Sequence, residues 1–245
     1  MCNIMLVVAY DGTEYCGWQI QKNATTIEQK IIEACQKLFS REIKLVGASR
    51  TDTGVHALGQ IVLLKVDTTI PIHKIPYAIN AYLPDDIVVR DAKIVTNNFH
   101  PRYNAKNKTY EYKIYNCNFP LPQYNRYAYF YHKTLDVDKM NEAAKGFIGK
   151  HDFKAFCSTG SSAKTTIREI YSCDVDIEDE MITIAINGNG FLYNMVRIIV
   201  GTLIEVGRGK MQPEDISDII ESLDRKRAGV TAPAKGLTLV KINYN

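Results

Sequence analysis

The sequence predicts an α+β protein made of two pseudo-symmetric ferredoxin-like (βαββαβ) halves with mainly antiparallel sheets, divided into residues 1–103 and 104–245. Three observations carry that prediction. Runs of strand length are separated by segments with helical periodicity. The first half of the chain sets them out in the order βαββαβ, and the second half repeats the order without repeating the sequence. With 245 residues, 46% of them hydrophobic, the chain can build one large domain or two of modest size.

IMLVVAY (4–10) is an apolar run ending at Asp11-Gly12, as a strand does on entering a turn. Thr25 and Glu28 have capping-box spacing, and Ile27, Ile31, Ala34, Cys35 and Leu38 recur at helical intervals through Phe39. IKLVG (43–47) and QIVLLKV (60–66) then read as two strands joined by a loop. A weaker helical pattern over 73–82 leads through Leu83-Pro84 into the strand DIVVR (86–90). In the second half KTYEYKIYN (108–116) alternates as a strand, and DVDKMNEAAKGFIG (136–149) reads as a helix closed by Gly149. REIYSCDVDI (168–177) and MITIAINGN (181–189) flank an acidic turn as a hairpin. Helices over 190–206 and 213–223 and a final strand GLTLVKINY (236–244) complete the half.

The formal charge of +3 and a pI near 8.4 permit a polyanionic partner without demanding one. Cys2, Cys16, Cys35, Cys117, Cys157 and Cys173 are scattered, with no C-x-x-C and no nearby histidine pair. That argues against a zinc site and a disulfide framework and fits reduced thiols in the cytoplasm. The opening MCNIMLVVAYDG has no positive leader and no cleavage-type site, and its apolar run is too short to span a bilayer. A soluble, unexported protein without membrane contact is expected.

Two features stand apart from this plain pattern. GASRTDTGVHA (47–57) crowds Arg50, Asp52 and His56 into one glycine-bounded loop. A turn aspartate often bonds only its own backbone, yet loops on rigid scaffolds also carry chemistry. FLYNMVRIIVGTLI (191–204) holds a single charge, Arg197, with Tyr193, Asn194, Val200 and Gly201 as helical neighbours. Its guanidinium either passes the small residues to solvent or lies in an apolar setting, where an unpaired cation is costly enough to demand a carboxylate. Asp52 is the natural candidate. A carboxylate beside an arginine stays ionised at neutral pH and is fit to act as nucleophile or general base. His56 is expected to cap or pack, since nothing else supplies a metal-ligand set.

PRYNAKNKTYEYKIY (101–115) places Arg102, Lys106, Lys108 and Lys113 among four tyrosines, interrupted by the single acid Glu111. Cations of this kind meet phosphates while aromatic rings stack on unpaired bases, although an ordinary amphipathic strand with a solvated face has the same look. VGRGK (206–210) and DRKRAG (224–229) add basic, glycine-containing segments, also readable as helix C-caps, and together the three lean toward RNA. GNG (188–190) is not a dinucleotide fingerprint, because it lacks the third glycine and follows a hairpin.

AYDGTEYCGWQ (9–19), GASRTDTGVHA (47–57), LPDDIVV (83–89), KTYEY (108–112), GKHDFKAF (149–156), NGNGFLYNMVRIIVGTLIEVGRGK (187–210) and TAPAKGLTLVKI (231–242) occur in one order, and with them the chain resembles the tRNA pseudouridine synthase A family nearly end to end. HPRYNA (100–105) departs from it, with Pro101 where the family usually has alanine and Tyr103 where it has phenylalanine. The resemblance implies that Asp52 is the catalytic residue, that Arg50 belongs to the same motif, that Tyr110 lies against the target base and that Arg197 forms an ion pair with Asp52. It makes Leu237 a wall of the uracil pocket and implies a basic central cleft, a homodimer, and uridines 38, 39 and 40 of the tRNA anticodon arm as substrate. Arg102 and Lys108 are further substrate-binding candidates, and no metal or cofactor is required by an isomerisation that gains and loses no group. The rival readings are a catalytically inactive RNA-binding module, a pseudouridine synthase acting on another RNA, and a small-molecule hydrolase using Asp52.

Overall fold

The computed structural model describes residues 2–244. In chain order the elements are β1 (Cys2–Tyr10), α1 (Ile27–Phe39), β2 (Leu45–Gly47), β3 (His56–Val66), α2 (Ile75–Asn80), β4 (Ile87–Val95), β5 (Asn107–Asn116), β6 (Tyr129–Tyr131), α3 (Val137–Lys145), β7 (Gly149–Asp152), β8 (Ile167–Glu178), β9 (Met181–Gly188), α4 (Met195–Gly207), α5 (Asp215–Ser222) and β10 (Leu237–Asn243). This is a mixed α+β protein whose strand pairings are mostly antiparallel. The chain divides into two compact units, one running up to Lys106 and including Thr238 onward, the other Asn107–Leu237.

In the first unit β1 lies between β4 and β3, antiparallel to both, and β2 pairs with the far edge of β3. The same edge takes β10 in parallel at its other end, Thr238 opposite His56 and Leu239 opposite Ala57. β1 alternates strictly, so Ile4, Leu6, Val8 and Tyr10 all face the core. α1 covers that face with Ile27, Ile31, Ala34 and Cys35, a stripe at i, i+4, i+7 and i+8. Its cap is Thr26, whose hydroxyl accepts from Gln29 N–H, one residue later than the capping box the sequence suggests. Glu28, the expected box partner, accepts instead from Ile20 N–H, and burial is the main cause raising its carboxyl above the ordinary range. The helix expected over 73–82 is shorter, a 3-10 turn followed by six α-helical residues with Pro76 near its start.

In the second unit the strands lie in the order β5, β9, β8, β7, with β6 parallel to the outer side of β5. The β8–β9 hairpin is where the sequence places it, turning at Asp179 with φ 53°. α3 is capped by Asp136 but ends at Gly146; Gly149, the expected stop, opens β7 instead. α4 starts at Met195 rather than at 190, because Asn194 sits in the left-handed region at φ 60° and cannot belong to the helix. The helix is apolar and buried nearly all round, which is why its one charge stands out. All six cysteines are free. Burial pushes the thiols of Cys35 and Cys173 up to about 12 and keeps them protonated. Among the described residues no helix is long and apolar enough to cross a membrane.

Candidate active site

The loop holding Asp52 is built from the inside of the first unit outward. Gln60, fully buried on β3, grips the start of the loop through its amide: Nε2 donates to Ser49 O at 2.7 Å and Oε1 accepts from Ser49 N–H at 3.2 Å. Thr51 is tied to Tyr10 by a buried hydroxyl pair at 2.8 Å, and its carbonyl accepts from Trp18 N–H at 3.0 Å. Register shifts in β1 just before Tyr10 re-aim the end of that strand toward the loop. Val55 N–H closes a turn on Asp52 O at 3.1 Å. The backbone of 12–17 lies so close that glycine is required: a Cβ on Gly12 would stand 2.1 Å from Val55 O, and Gly17, at φ +81°, would meet Thr51 O at 2.6 Å. The AYDGTEYCGWQ stretch is therefore the wall against which the Asp52 loop is moulded.

Asp52 is half-buried and Arg50, two residues before it, is exposed. The Arg50 charge acts on Glu28, lowering a carboxyl that burial otherwise raises. His56 is 3% exposed and packs as the sequence suggests. Its Nδ1 accepts from Gly12 N–H at 3.1 Å and lies 3.2 Å from Asp11 Oδ1, so the ring caps the turn at Asp11-Gly12. Replacing Gln60 by leucine keeps the volume and leaves Ser49 N–H and C=O without their partner. A loss of about 2–3 kcal/mol is expected in urea unfolding of Gln60→Leu.

In the second unit Tyr110 on β5 is buried, with its ring edge-on to Phe191 at 5.2 Å and 83°. Arg197 is half-buried on α4. Its Nε donates to Ala232 O at 2.7 Å and Nη1 to Asn194 Oδ1 at 2.9 Å, while Asn194 Nδ2 donates to Ser158 Oγ at 3.0 Å. Two neutral acceptors thus fix the guanidinium plane. Ala232 belongs to a strap, residues 228–237, that is fastened again by Tyr112 OH to Pro233 O at 2.8 Å. Burial raises the Tyr112 hydroxyl pKa well above the usual range, so it remains a donor. Leu237, buried at the foot of β10, ends the strap. Lys108 is half-buried on β5 opposite Gly188, and Arg102 is exposed in the turn after β4.

The structure therefore places Asp52 and Arg50 on one loop of the first unit, with Arg102 on another segment of it. Tyr110, Lys108, Arg197 and Leu237 belong to the second unit. Sequence reading missed the hold that Gln60, Tyr10 and Asn194 have on these groups. A glutamine at the head of the apolar run QIVLLKV, and an asparagine three residues before the lone arginine, are the signals that pointed to two of them. Among the described residues no three His, Cys, Asp or Glu stand together as a metal-binding group.

Comparison with known proteins agrees on one assignment. The family model for tRNA pseudouridine synthase matches residues 6–104 and 143–245. The chain is similar to tRNA pseudouridine synthase A of Thermoanaerobacter sp. (strain X514), 51% identical over 244 residues covering 100% of both chains. It is 50% identical over 244 residues, again with 100% of both chains covered, to the protein of that name from Acetivibrio thermocellus. With the match extending through both units, and with the Asp52 loop and the α4 segment inside it, the chain belongs to the tRNA pseudouridine synthase family.

Proposed function

We propose that Asp52 is the catalytic residue of this tRNA uridine isomerase, that Arg197 is its counter-charge and that Tyr110 lies against the target base. Arg50, Arg102, Lys108 and Leu237 bind the substrate, which is the anticodon arm at uridines 38, 39 and 40. The observation that carries the reading is the construction of the Asp52 loop: Gln60, Tyr10, Trp18 and two glycines hold its backbone, although the residue it presents is only half-buried. A carboxylate so held is pre-organised for chemistry rather than for stability.

The isomerisation breaks the N1–C1′ bond of uridine, forms a C5–C1′ bond, removes the C5 proton and leaves a proton on N1. The uridine must first leave its stack, which costs a few kcal/mol. Attack of Asp52 on C1′, attack on C6, and abstraction of a ribose proton all require the same thing, an ionised carboxylate in a fixed place. Arg197 serves that need with a guanidinium already oriented by Ala232 and Asn194.

The proposed division of labour gives the N-terminal half the aspartate loop and the C-terminal half the tyrosine and arginine. Both halves are read as ferredoxin-like, which the strand order β4, β1, β3, β2 of the first unit and β5, β9, β8 of the second support. The enzyme is further proposed to act as a cytoplasmic homodimer. Release of tritium from C5-labelled tRNA transcripts that carry uridine at only one of positions 38, 39 and 40 tests the substrate assignment. Release is expected from each of the three. Release only from transcripts with uridine elsewhere would move the target out of the anticodon arm and leave the family chemistry intact.

A further inference from the structure

The turn after β4 holds an aromatic ring that the fold does not need. Tyr103 is 78% exposed, yet its ring is stacked on the His100 imidazole, with centroids 4.2 Å apart and 29° between planes. The imidazole is fixed in turn. Arg102 N–H and Tyr103 N–H both donate to its Nδ1, at 3.2 and 3.3 Å, so the lone pair sits there and the ring proton on Nε2. His100 N–H donates to Asn104 Oδ1 at 2.6 Å and Asn104 N–H to His100 O at 3.0 Å. The turn is anchored on the last strand and the residue after it: Tyr244 OH donates to Pro101 O at 2.8 Å, Phe99 packs on Tyr244 at 5.1 Å, and Lys106 N–H donates to Asn243 O at 2.8 Å.

A ring this exposed gains little from burial, so the bonds that hold it are not explained by stability. They fix one face of the tyrosine against the imidazole and leave the other to solvent. Along the chain from 92 to 110 the charges are Lys93, Arg102, Lys106 and Lys108, with Lys93 paired to Asp91 and the next acid after the turn at Glu111. A protein interface core is depleted of charge, whereas a rigid ring set among cations is how proteins take an unpaired base between its phosphates.

We propose that Tyr103, backed by His100, is a stacking platform for an unpaired base of the bound tRNA, with Arg102 and Lys106 meeting the flanking phosphates. The proposal rests on the reading that the chain acts on tRNA, and it makes Tyr103 a positioning residue. Tyr244 holds the turn through the backbone carbonyl of residue 101, and the aromatic ring at 103, a tyrosine here and a phenylalanine in the family pattern, is what the platform uses.

The test is equilibrium binding of an unmodified tRNA transcript across a series of salt concentrations, together with kcat at saturating tRNA, for the wild type and three variants. Tyr103→Ala is expected to weaken binding roughly 10-fold without changing the salt slope, because it removes stacking and no charge. Tyr103→Phe keeps the ring and should bind within about 2-fold of wild type. Arg102→Ala should lower the slope of log Kd against log salt by about 1. The kcat of Tyr103→Ala is expected to match that of the wild type. Binding by Tyr103→Ala equal to wild type overturns the proposal. So does a loss of binding accompanied by a changed sedimentation mass or a lowered Tm, which would make the ring an interface or folding contact. Wild-type tritium release, measured on the same samples, separates the two readings. Its absence would sink the isomerase assignment, whereas its presence with an indifferent Tyr103→Ala sinks the platform alone.

Discussion

Asp52→Asn is expected to lower tritium release from C5-labelled tRNA by at least about 10³-fold while tRNA affinity stays at or above that of the wild type. The change is isosteric, and none of the bonds given above that shape the loop uses the Asp52 carboxylate. Thr51 O still accepts from Trp18, Val55 N–H still closes on the Asp52 carbonyl, and Gln60 still holds Ser49. What disappears is the charge. An amide is neither the nucleophile nor the base that each route of uridine isomerisation requires, and under the proposed pairing it would give Arg197 no counter-charge. Binding should not suffer, because removing a negative charge from a site for a polyanion removes repulsion. Turnover by Asp52→Asn within a few-fold of wild type would take the aspartate out of the chemistry. A large loss of affinity would instead make it a structural or binding residue.

The coarse fold was legible because it follows from periodicity. The apolar stripe Ile27, Ile31, Ala34, Cys35 forces α1, the apolar run before Asp11-Gly12 marks β1, and the alternation of KTYEYKIYN marks β5. Element ends were less legible because they turn on single backbone conformations. Asn194 and Leu223 both take positive φ and cut their helices short of the apolar pattern. The strands β6 and β7, with three and four residues, were missed because so short a segment carries no usable period. At the site, Asp52 and Arg197 were visible as polar groups placed where composition does not call for them. The contacts that hold them were not. Gln60 acts through Ser49, eleven residues away, and Arg197 is held by Ala232, thirty-five away, pairings that one sequence cannot disclose; Asn194 was in view three residues before Arg197, but its tie to Ser158, thirty-six away, was not. The strap that holds Arg197 is hidden further, because its fit depends on glycines that resemble ordinary loop residues.

Gly201→Ala is expected to destabilise the protein by at least about 3 kcal/mol and to unseat Arg197 with it. A Cβ at Gly201 would stand 1.7 Å from Val230 O, and one at Gly229 would meet Gly201 C at 2.5 Å, so two backbones cross here without room for a methyl group. The crossing is closed by Thr202, whose hydroxyl accepts from Gly229 N–H at 2.9 Å, and by Arg225, which donates to Ala228 O, Gly229 O and Thr231 Oγ1. α4 is buried nearly all round and cannot retreat, so the strap must move. The next residues along it are Ala232, whose carbonyl takes Arg197 Nε and whose N–H donates to Arg197 O at 3.1 Å, and Pro233, held by Tyr112. A shift there loosens the guanidinium without touching its side chain. Urea unfolding should therefore show a large drop in midpoint. At temperatures where Gly201→Ala remains folded, kcat should fall while the salt slope of tRNA binding is unchanged, since no charge has been altered. Gly209→Ala gives the contrast: with φ +70° and nothing within 4 Å of its Cβ, it should cost only about 1 kcal/mol of backbone strain and leave kcat alone. If the two substitutions unfold alike, the close crossing of strap and helix is not what seats Arg197.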